Sequence, residues 1–184
     1  MAKTKKENTT RAAEHKPPQG AKHRSTWTDS AGREIEHTVK AGWEILRKTD
    51  KPAAEVFSVS YIAEKTHDRP VTFAFNGGPG ASSAYLHVGT VGPRIVDFSS
   101  DGSLPRMPAK LVDNPASWLG FTDIVFIDPV GTGFSRTIET RKQGTDNGDA
   151  DERRDIQDPK EFFAINRDLE AMAEFMSRWL STNN

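Results

Sequence analysis

The stretch "AFNGGPGASSAYLHVGTVGPR", residues 74–94, places five glycines and two prolines directly after the apolar run "VTFAF" at 71–75. Glycine reaches backbone conformations closed to other residues and lets a ligand approach the main chain closely. Pro79 keeps Gly78 out of the helical region and suits the first turn of a following helix. The pattern therefore predicts a strand, a sharp turn and a helix start whose backbone N–H groups can stabilise an anion.

Two kinds of anion compete for such a turn, a phosphate group and the oxyanion of an acyl-transfer intermediate. Phosphate is disfavoured because the stretch has no Lys, and Ser83 stands where G-x-G-x-x-G would have its third glycine. The plain structural alternative is a turn that only reverses the chain. Motifs elsewhere in the chain are needed to distinguish an oxyanion site from a structural turn.

Two short apolar runs predict the central sheet. "VTFAF" and "DIVFID" (123–128) are typical of strands covered on both faces in a parallel sheet, and the segment between them is long enough for a crossover. Upstream, residues 26–64 are rich in β-branched and aromatic residues and predict an antiparallel hairpin or meander. The predicted fold class is therefore α/β, with antiparallel N-terminal strands leading into a parallel sheet.

The last predicted element is a helix that begins near residue 159. Asp158 can cap it, Pro159 fits its first position, and Glu161 has the spacing of a capping box. Glu174 and Arg178 can pair at i, i+4 on its polar side. Apolar residues at steps of three and four predict a buried stripe made of Phe162, Ile165, Leu169, Met172, Met176 and Trp179.

Two segments predict little order. Residues 1–24 carry seven Lys or Arg against two Glu and almost no large apolar residues, which predicts a disordered basic tail. A basic arm for nucleic acid is the alternative, but no aromatic residues are interleaved with the charges. Residues 139–156 are almost wholly polar and predict an exposed loop.

The composition excludes several classes of function. The formal net charge of −1 gives no general attraction to nucleic acid or membranes, and without cysteine there are no disulfides, thiolate metal sites or thiol nucleophiles. The sequence contains neither a recognisable signal peptide nor an apolar stretch of bilayer length. We therefore expect no cofactor, metal, nucleic-acid or membrane partner, and a cytoplasmic location by default.

Four motifs occur in a fixed order along the chain: "FNGGPGASSA", "VGPR", "NPASW" and "IVFIDPVGTGFS". Together they resemble the serine carboxypeptidase family of α/β hydrolases, over roughly residues 30–180 and most densely over 71–136. Prolyl iminopeptidases also carry a Gly-Gly-Pro-Gly turn, but a His usually precedes it there, whereas Asn76 does here. The resemblance implies that residues 25–184 form the N-terminal part of an α/β-hydrolase domain.

The resemblance also implies a function and its site residues. A serine-type carboxypeptidase cleaves peptides that have a free C-terminus. The backbone N–H of Gly78 would donate to the oxyanion, while Asn76 and Gly77 would hold the substrate's C-terminal carboxylate. Thr90 stands where the family has a Glu of the carboxylate-binding network, and Ala74 replaces a family Trp. An acyltransferase or esterase on the same scaffold is therefore the alternative enzyme.

The sequence contains one approximate match to the motif that surrounds a serine nucleophile. "GASSA" (80–84) approximates G-x-S-x-G, but Ser82 lies six residues past Asn76, so packing at a helix start is favoured over nucleophilic catalysis. Family order places the Ser, Asp and His after the final helix, which implies that the 184 residues hold the oxyanion turn without the triad. We expect the chain alone to be inactive, and a non-catalytic binding module is the other alternative.

Two further residues lie close to the predicted turn. His87 follows it on a short helix, and the sequence favours a packed side chain over a catalytic base. Asp128 ends the second apolar run, where a structural role at the end of a strand is favoured over that of a catalytic acid.

Overall fold

The computed structural model describes the chain over residues 15–48, 51–64, 68–77, 80–98, 101, 103, 107–141, 154–156 and 159–183. The strands are β1 (Ala21–Thr28), β2 (Glu34–Lys48), β3 (Lys51–Ala63), β4 (Val71–Ala74), β5 (Arg94–Val96), β6 (Leu111–Asp113), β7 (Asp123–Ile127), β8 (Arg136–Thr137), β9 (Glu139–Arg141) and β10 (Arg154–Ile156). The helices are α1 (Ala84–Leu86), continued by a π-helical turn (His87–Val91), α2 (Ile165–Asn183), and 3₁₀ helices at Trp118–Gly120 and Pro159–Phe163.

The main sheet has the strand order β1-β2-β3-β7-β4, and β8 also pairs with β3. The first three strands are antiparallel to one another, β7 runs antiparallel to β3, and β4 runs parallel to β7. The register of the parallel pair runs from Val71 opposite Asp123 to Ala74 opposite Phe126. Antiparallel strands thus lead into a parallel pair in the predicted order.

Each face of the sheet has its own apolar core. Along β7, Val125 and Ile127 face α2, while Ile124 and Phe126 face the side that carries α1. Every residue of β7 is buried, as the continuous apolar run predicts for a strand covered on both faces. No helix within the described ranges is long and apolar enough to cross a membrane.

The N-terminal strand starts earlier than the composition suggests. Residues 21–24, predicted to belong to a disordered tail, form the first half of β1, and residues 15–20 precede it without regular secondary structure. The backbones pack closely here, because a Cβ added at Gly20 would lie 2.6 Å from the carbonyl oxygen of Ala41. The side chain of His15 lies 2.9 Å from Glu55 Oε2. Residues 1–14 lie outside the described part of the chain.

Helix α2 buries part of the predicted stripe. Met172 and Trp179 are buried as predicted, together with Ala171 and Phe175, whereas Ile165 and Leu169 are 78% and 62% exposed. The sheet meets the helix along a line centred on Phe175, which leaves Ile165 and Leu169 at the edge of the apolar stripe. The prediction was wrong at those two positions, whereas the Glu174–Arg178 pair is confirmed by a 2.9 Å bond.

The start of this helical region also differs from the prediction. The chain first forms the 3₁₀ helix Pro159–Phe163, and α2 begins at Ile165. Glu161 accepts a hydrogen bond from Lys48 Nζ. Asp158, the predicted cap, lies outside the described residues. Within the predicted polar loop 139–156, β9 and β10 pair as an antiparallel ribbon, and residues 142–153 are not described.

Candidate active site

The glycine-rich turn begins where β4 ends. The strand stops at Ala74, and Asn76 and Gly77 follow at the same edge of the sheet as the carboxyl end of β7. Gly77 is exposed, and a Cβ added there would meet no atom within 4 Å. The backbone of Gly77 is therefore accessible from the outside. Gly78, the predicted oxyanion donor, lies outside the described residues.

Ser83 anchors the far end of this turn. Its hydroxyl accepts a hydrogen bond from the backbone N–H of Asn76 at 3.3 Å and donates one to the carbonyl oxygen of Ile127. Its own backbone N–H donates to Asp128 Oδ1 at 2.8 Å. Ser83 is buried, so these bonds are shielded from water. The turn is thereby fixed at both ends against the end of β7.

Asp128 connects the glycine-rich turn to the loop that follows β7. Oδ1 accepts from the backbone N–H of Ser83, and Oδ2 accepts from that of Phe134 at 3.2 Å. Gly133 lies against this carboxylate with φ +50°, and a Cβ there would lie 1.9 Å from Oδ2. A side chain at position 133 would displace the Asp128 carboxylate from its hydrogen bonds and would adopt a backbone conformation that favours glycine. The structural role predicted for Asp128 is confirmed.

The side chain of Asn76 is incompletely paired. Its Oδ1 atom is buried and has no hydrogen-bond partner among the residues that the structure describes. Most buried polar atoms in folded proteins are paired, because an unpaired one costs desolvation energy without a compensating bond. Oδ1 is an acceptor, so a hydrogen-bond donor would complete its bonding.

Asn114 fixes the segment that follows the turn. Its Nδ2 donates to the carbonyl oxygens of Thr90 and Gly92 at 2.6 and 2.8 Å. Its own carbonyl oxygen accepts from Trp27 Nε1 at 3.0 Å, and Ser117 Oγ donates to the carbonyl oxygen of Val91 at 3.0 Å. The motif "NPASW" thereby satisfies three successive carbonyl groups of the π-helical turn and its end.

The amino-acid sequence matches a known protein family. A family model described as serine carboxypeptidase matches residues 35–183. The chain belongs to the serine carboxypeptidase family. The resemblance drawn from the four sequence motifs is thereby confirmed.

The chain is similar in sequence to several pheromone-processing carboxypeptidases. The chain is similar to the pheromone-processing carboxypeptidase kex1 of Sclerotinia sclerotiorum, with 46% identity over 80 residues, which are 43% of this chain and 11% of that protein. It is also similar to pheromone-processing carboxypeptidase KEX1 of Saccharomyces cerevisiae, with 39% identity over 100 residues, which are 52% of this chain and 12% of that protein. The similarity therefore spans only about an eighth of these relatives' length.

The described residues contain no paired serine and histidine of the kind a serine carboxypeptidase needs. Within the described ranges, the hydrogen-bonded histidines contact Glu55, the carbonyl of Ile35 and Tyr61, and none contacts Ser82. Ser82 lies against the second loop, since its Cβ would be 3.0 Å from a Cβ added at Gly133. This contact agrees with packing as the role of Ser82. In the same described part, no three His, Asp or Glu side chains are grouped for a metal ion.

His87 lies on the helical segment behind the turn, as a packed side chain. Its ring stacks on Phe126 with centroids 4.6 Å apart, and its Nε2 lies 2.6 Å from the hydroxyl oxygen of Tyr61. Burial lowers the pKa of His87 to about 4 and raises the pKa of Tyr61 to about 12. Both groups are neutral at pH 7, and one hydrogen bond joins the Tyr61 hydroxyl to His87 Nε2. Sequence reasoning missed Tyr61, because its partner lies 26 residues away.

Thr90 is the third predicted substrate-binding residue. It lies in the π-helical turn, its side chain is exposed, and its Oγ1 donates to the carbonyl oxygen of Leu86 at 3.0 Å. Its own carbonyl oxygen accepts from Asn114. The structure therefore brings Asn76 and Gly77 together at the end of β4, while the hydroxyl of Thr90 is bonded within its own helical segment.

Proposed function

We propose that this chain carries the substrate-carboxylate and oxyanion part of a serine-type carboxypeptidase site. The observation that carries the proposal is the accessible backbone of Gly77 directly after Asn76, at the edge of the sheet where β4 ends. Membership of the serine carboxypeptidase family supports the same class of reaction. A terminal carboxylate is the ligand that an amide N–H and a backbone N–H of a fixed turn can hold together.

The proposed chemistry divides the work among three groups. Asn76 Nδ2 and the backbone N–H of Gly77 donate to the terminal carboxylate of the substrate and thereby position the last peptide bond. The backbone N–H of Gly78 donates to the oxyanion that forms when a serine attacks that bond. Removing one such donor costs roughly 3–4 kcal/mol in the transition state of comparable enzymes. Ser82 is not the nucleophile in this proposal.

The fixed geometry of the turn has a role in this proposal. Donors aimed at a developing charge are effective only if they are already in place when the reaction occurs. Ser83 and Asp128 hold the turn through buried hydrogen bonds, one of them from the backbone N–H of Asn76 itself. We therefore assign both residues a positioning role.

The test compares a free acid with its amide. The coding DNA is first read past codon 184, where an in-frame serine elbow followed by Asp and His supports the enzyme. The protein from the full reading frame is then given an N-blocked dipeptide with a free C-terminus and the same peptide as its C-terminal amide. A carboxypeptidase turns over the acid with kcat/KM at least about tenfold higher, because a charge-assisted hydrogen bond is worth roughly 1.5–3 kcal/mol.

Asn76→Ala should remove most of this preference. The matched control is Asn183→Ala, whose amide bonds a backbone carbonyl at the far end of α2. An acid preference that survives Asn76→Ala would contradict the assigned role of Asn76, and equal rates on acid and amide in the parent protein would contradict a carboxypeptidase.

A second candidate function rests on Thr90. No carboxylate side chain stands at this position, and the hydroxyl is bonded to the carbonyl oxygen of Leu86. An esterase or acyltransferase on the same scaffold needs the oxyanion donor and does not need a grip on a terminal carboxylate. Turnover of simple acyl esters at a rate independent of a free carboxylate would favour this candidate.

A further inference from the structure

We propose that a second site, separate from the turn after β4, binds a small carboxylate with an apolar body and an N–H donor, the chemistry of an N-acylated apolar amino acid. The site is the His37 cleft, a cavity of about 300 Å³ lined by His37, Val39, Tyr61, His87, Arg94 and Leu111 among others. This volume is at the lower end of the range for small-molecule sites, which suits a ligand of that size.

The His37 cleft lies away from the candidate active site. Tyr61 is opposite Ile124, near the start of β7, whereas Asp128 follows the end of that strand. Ile124 and Asp128 are four residues apart, which is about 13 Å along an extended strand. A ligand in the cleft therefore does not occupy the glycine-rich turn.

The mouth of the cleft carries a positive charge. Arg94 is half-exposed, and its Nε lies 2.9 Å from Asp113 Oδ1. The charge of Arg94 reaches the interior: burial raises the pKa of Tyr61, and Arg94 opposes that rise. Burial lowers the pKa of His37, the hydrogen bond to the carbonyl of Ile35 and the charge of Glu64 raise it, and the charges of His23 and Arg94 lower it. A carboxylate at the mouth would therefore lie in a favourable field, with a guanidinium as its partner.

The floor of the cleft is neutral and mostly apolar. Tyr61 and His87 are bonded to each other and are both uncharged at pH 7, as described above. Val39 and Leu111 supply aliphatic surface on the walls. The floor thus favours an apolar body over a second charge, and the carboxylate of the ligand is placed at Arg94.

One hydrogen-bonding atom remains open in the cleft. His37 Nδ1 lies 3.1 Å from the carbonyl oxygen of Ile35, and a carbonyl only accepts, so Nδ1 carries the proton. Nε2 of the neutral ring is therefore an acceptor, and it has no partner within the described part of the chain. An N–H group on the ligand would complete this bond.

The experiment titrates the purified protein at pH 7 with N-acetyl-L-leucine and follows the histidine ring resonances by NMR. We expect saturable shifts of the His37 and His87 rings, and binding at least about tenfold weaker for N-acetyl-L-leucinamide and for Arg94→Gln, because each loses a charge-assisted hydrogen bond. Arg178→Gln is the matched control, since Arg178 Nε also pairs with a carboxylate at 2.9 Å but lies on α2. It should bind like the parent protein.

Two more variants separate the alternatives. Asp113→Asn keeps the guanidinium and frees its Nε, so binding should be retained or tightened; a loss as large as in Arg94→Gln would show a folding effect and contradict the proposal. Asn76→Ala should leave the histidine shifts intact. Shifts lost in Asn76→Ala and kept in Arg94→Gln would assign the ligand to the candidate active site and overturn the second site. Equal binding of acid and amide would overturn it as well.

Discussion

Ser83 and Asp128 lie 45 residues apart in the sequence and are joined by a buried hydrogen bond of 2.8 Å, from the backbone N–H of Ser83 to Asp128 Oδ1. The other oxygen of this carboxylate holds the backbone N–H of Phe134. One side chain at the end of β7 therefore fixes the helix start behind the glycine-rich turn and also the loop that follows β7. The shape of the candidate site depends on this shared acceptor.

Asp128→Ala should be strongly destabilising. It leaves two backbone N–H groups without their charged acceptor, and we expect the free energy of unfolding to fall by about 3 kcal/mol. Chemical denaturation monitored by fluorescence measures this loss. The control is Asp97→Asn, an exposed position outside these contacts, with a change within about 0.5 kcal/mol. Equal effects of the two substitutions would contradict the role given to Asp128.

Substitution by alanine should affect the unfolding free energy very differently at two glycines. Gly133→Ala forces a Cβ into the Asp128 carboxylate at a backbone of φ +50°, so we expect a loss of at least about 3 kcal/mol in unfolding free energy. Gly77→Ala meets no atom within 4 Å and should change stability by less than about 1 kcal/mol. Thermal and urea unfolding of both variants provide the check. A well-folded, fully stable Gly133→Ala protein would refute this packing argument.

Asn114→Ala should loosen the segment between Thr90 and Gly92. Both carbonyl oxygens lose their amide donor, and we expect a loss of about 3 kcal/mol in unfolding free energy. Hydrogen exchange should rise in the π-helical turn before it rises in the strands of the main sheet. Asn183→Ala, at the end of α2, serves as the control and should cost less than about 1 kcal/mol. Unchanged exchange in the turn would argue against the proposed fixation by Asn114.

The buried His87 should make stability depend on pH. Its pKa is about 4 in the folded protein and 6.5 in the reference state, so the unfolded chain binds more protons between these values. Stability should therefore fall as pH decreases from 6.5 to 4. In His87→Phe the unfolding free energy should differ between pH 7 and pH 4 by about 3 kcal/mol less than in the parent protein. If the unfolding free energies of both proteins changed with pH in the same way, His87 would be excluded as the source of the pH dependence.

Local sequence patterns predicted the parts of the fold that depend on neighbouring residues. The continuous apolar run of β7 predicted a strand buried on both faces. The order of the four motifs predicted the family. These features could be predicted because spacing along the chain determines each of them.

The missed features depend on contacts between distant residues. Most of β1 is exposed and polar, and Trp27 is its one buried residue, so composition alone resembles a tail. The carboxylate of Glu55 is fully buried. It pairs at 2.5 Å with Arg136, which lies 81 residues later in the sequence. The bond between Tyr61 and His87 has the same non-local origin. A single sequence contains no local signal for any of these partners.

The bond between Ser83 and Asp128 also affects the timing of biosynthesis. The glycine-rich segment leaves the ribosome 45 residues ahead of the carboxylate that holds it. At translation speeds of 5–20 residues per second, that delay is about 2–9 s. Nascent polypeptides arrested before codon 128 should therefore expose this loop to proteases, whereas those arrested after Phe134 has emerged should protect it.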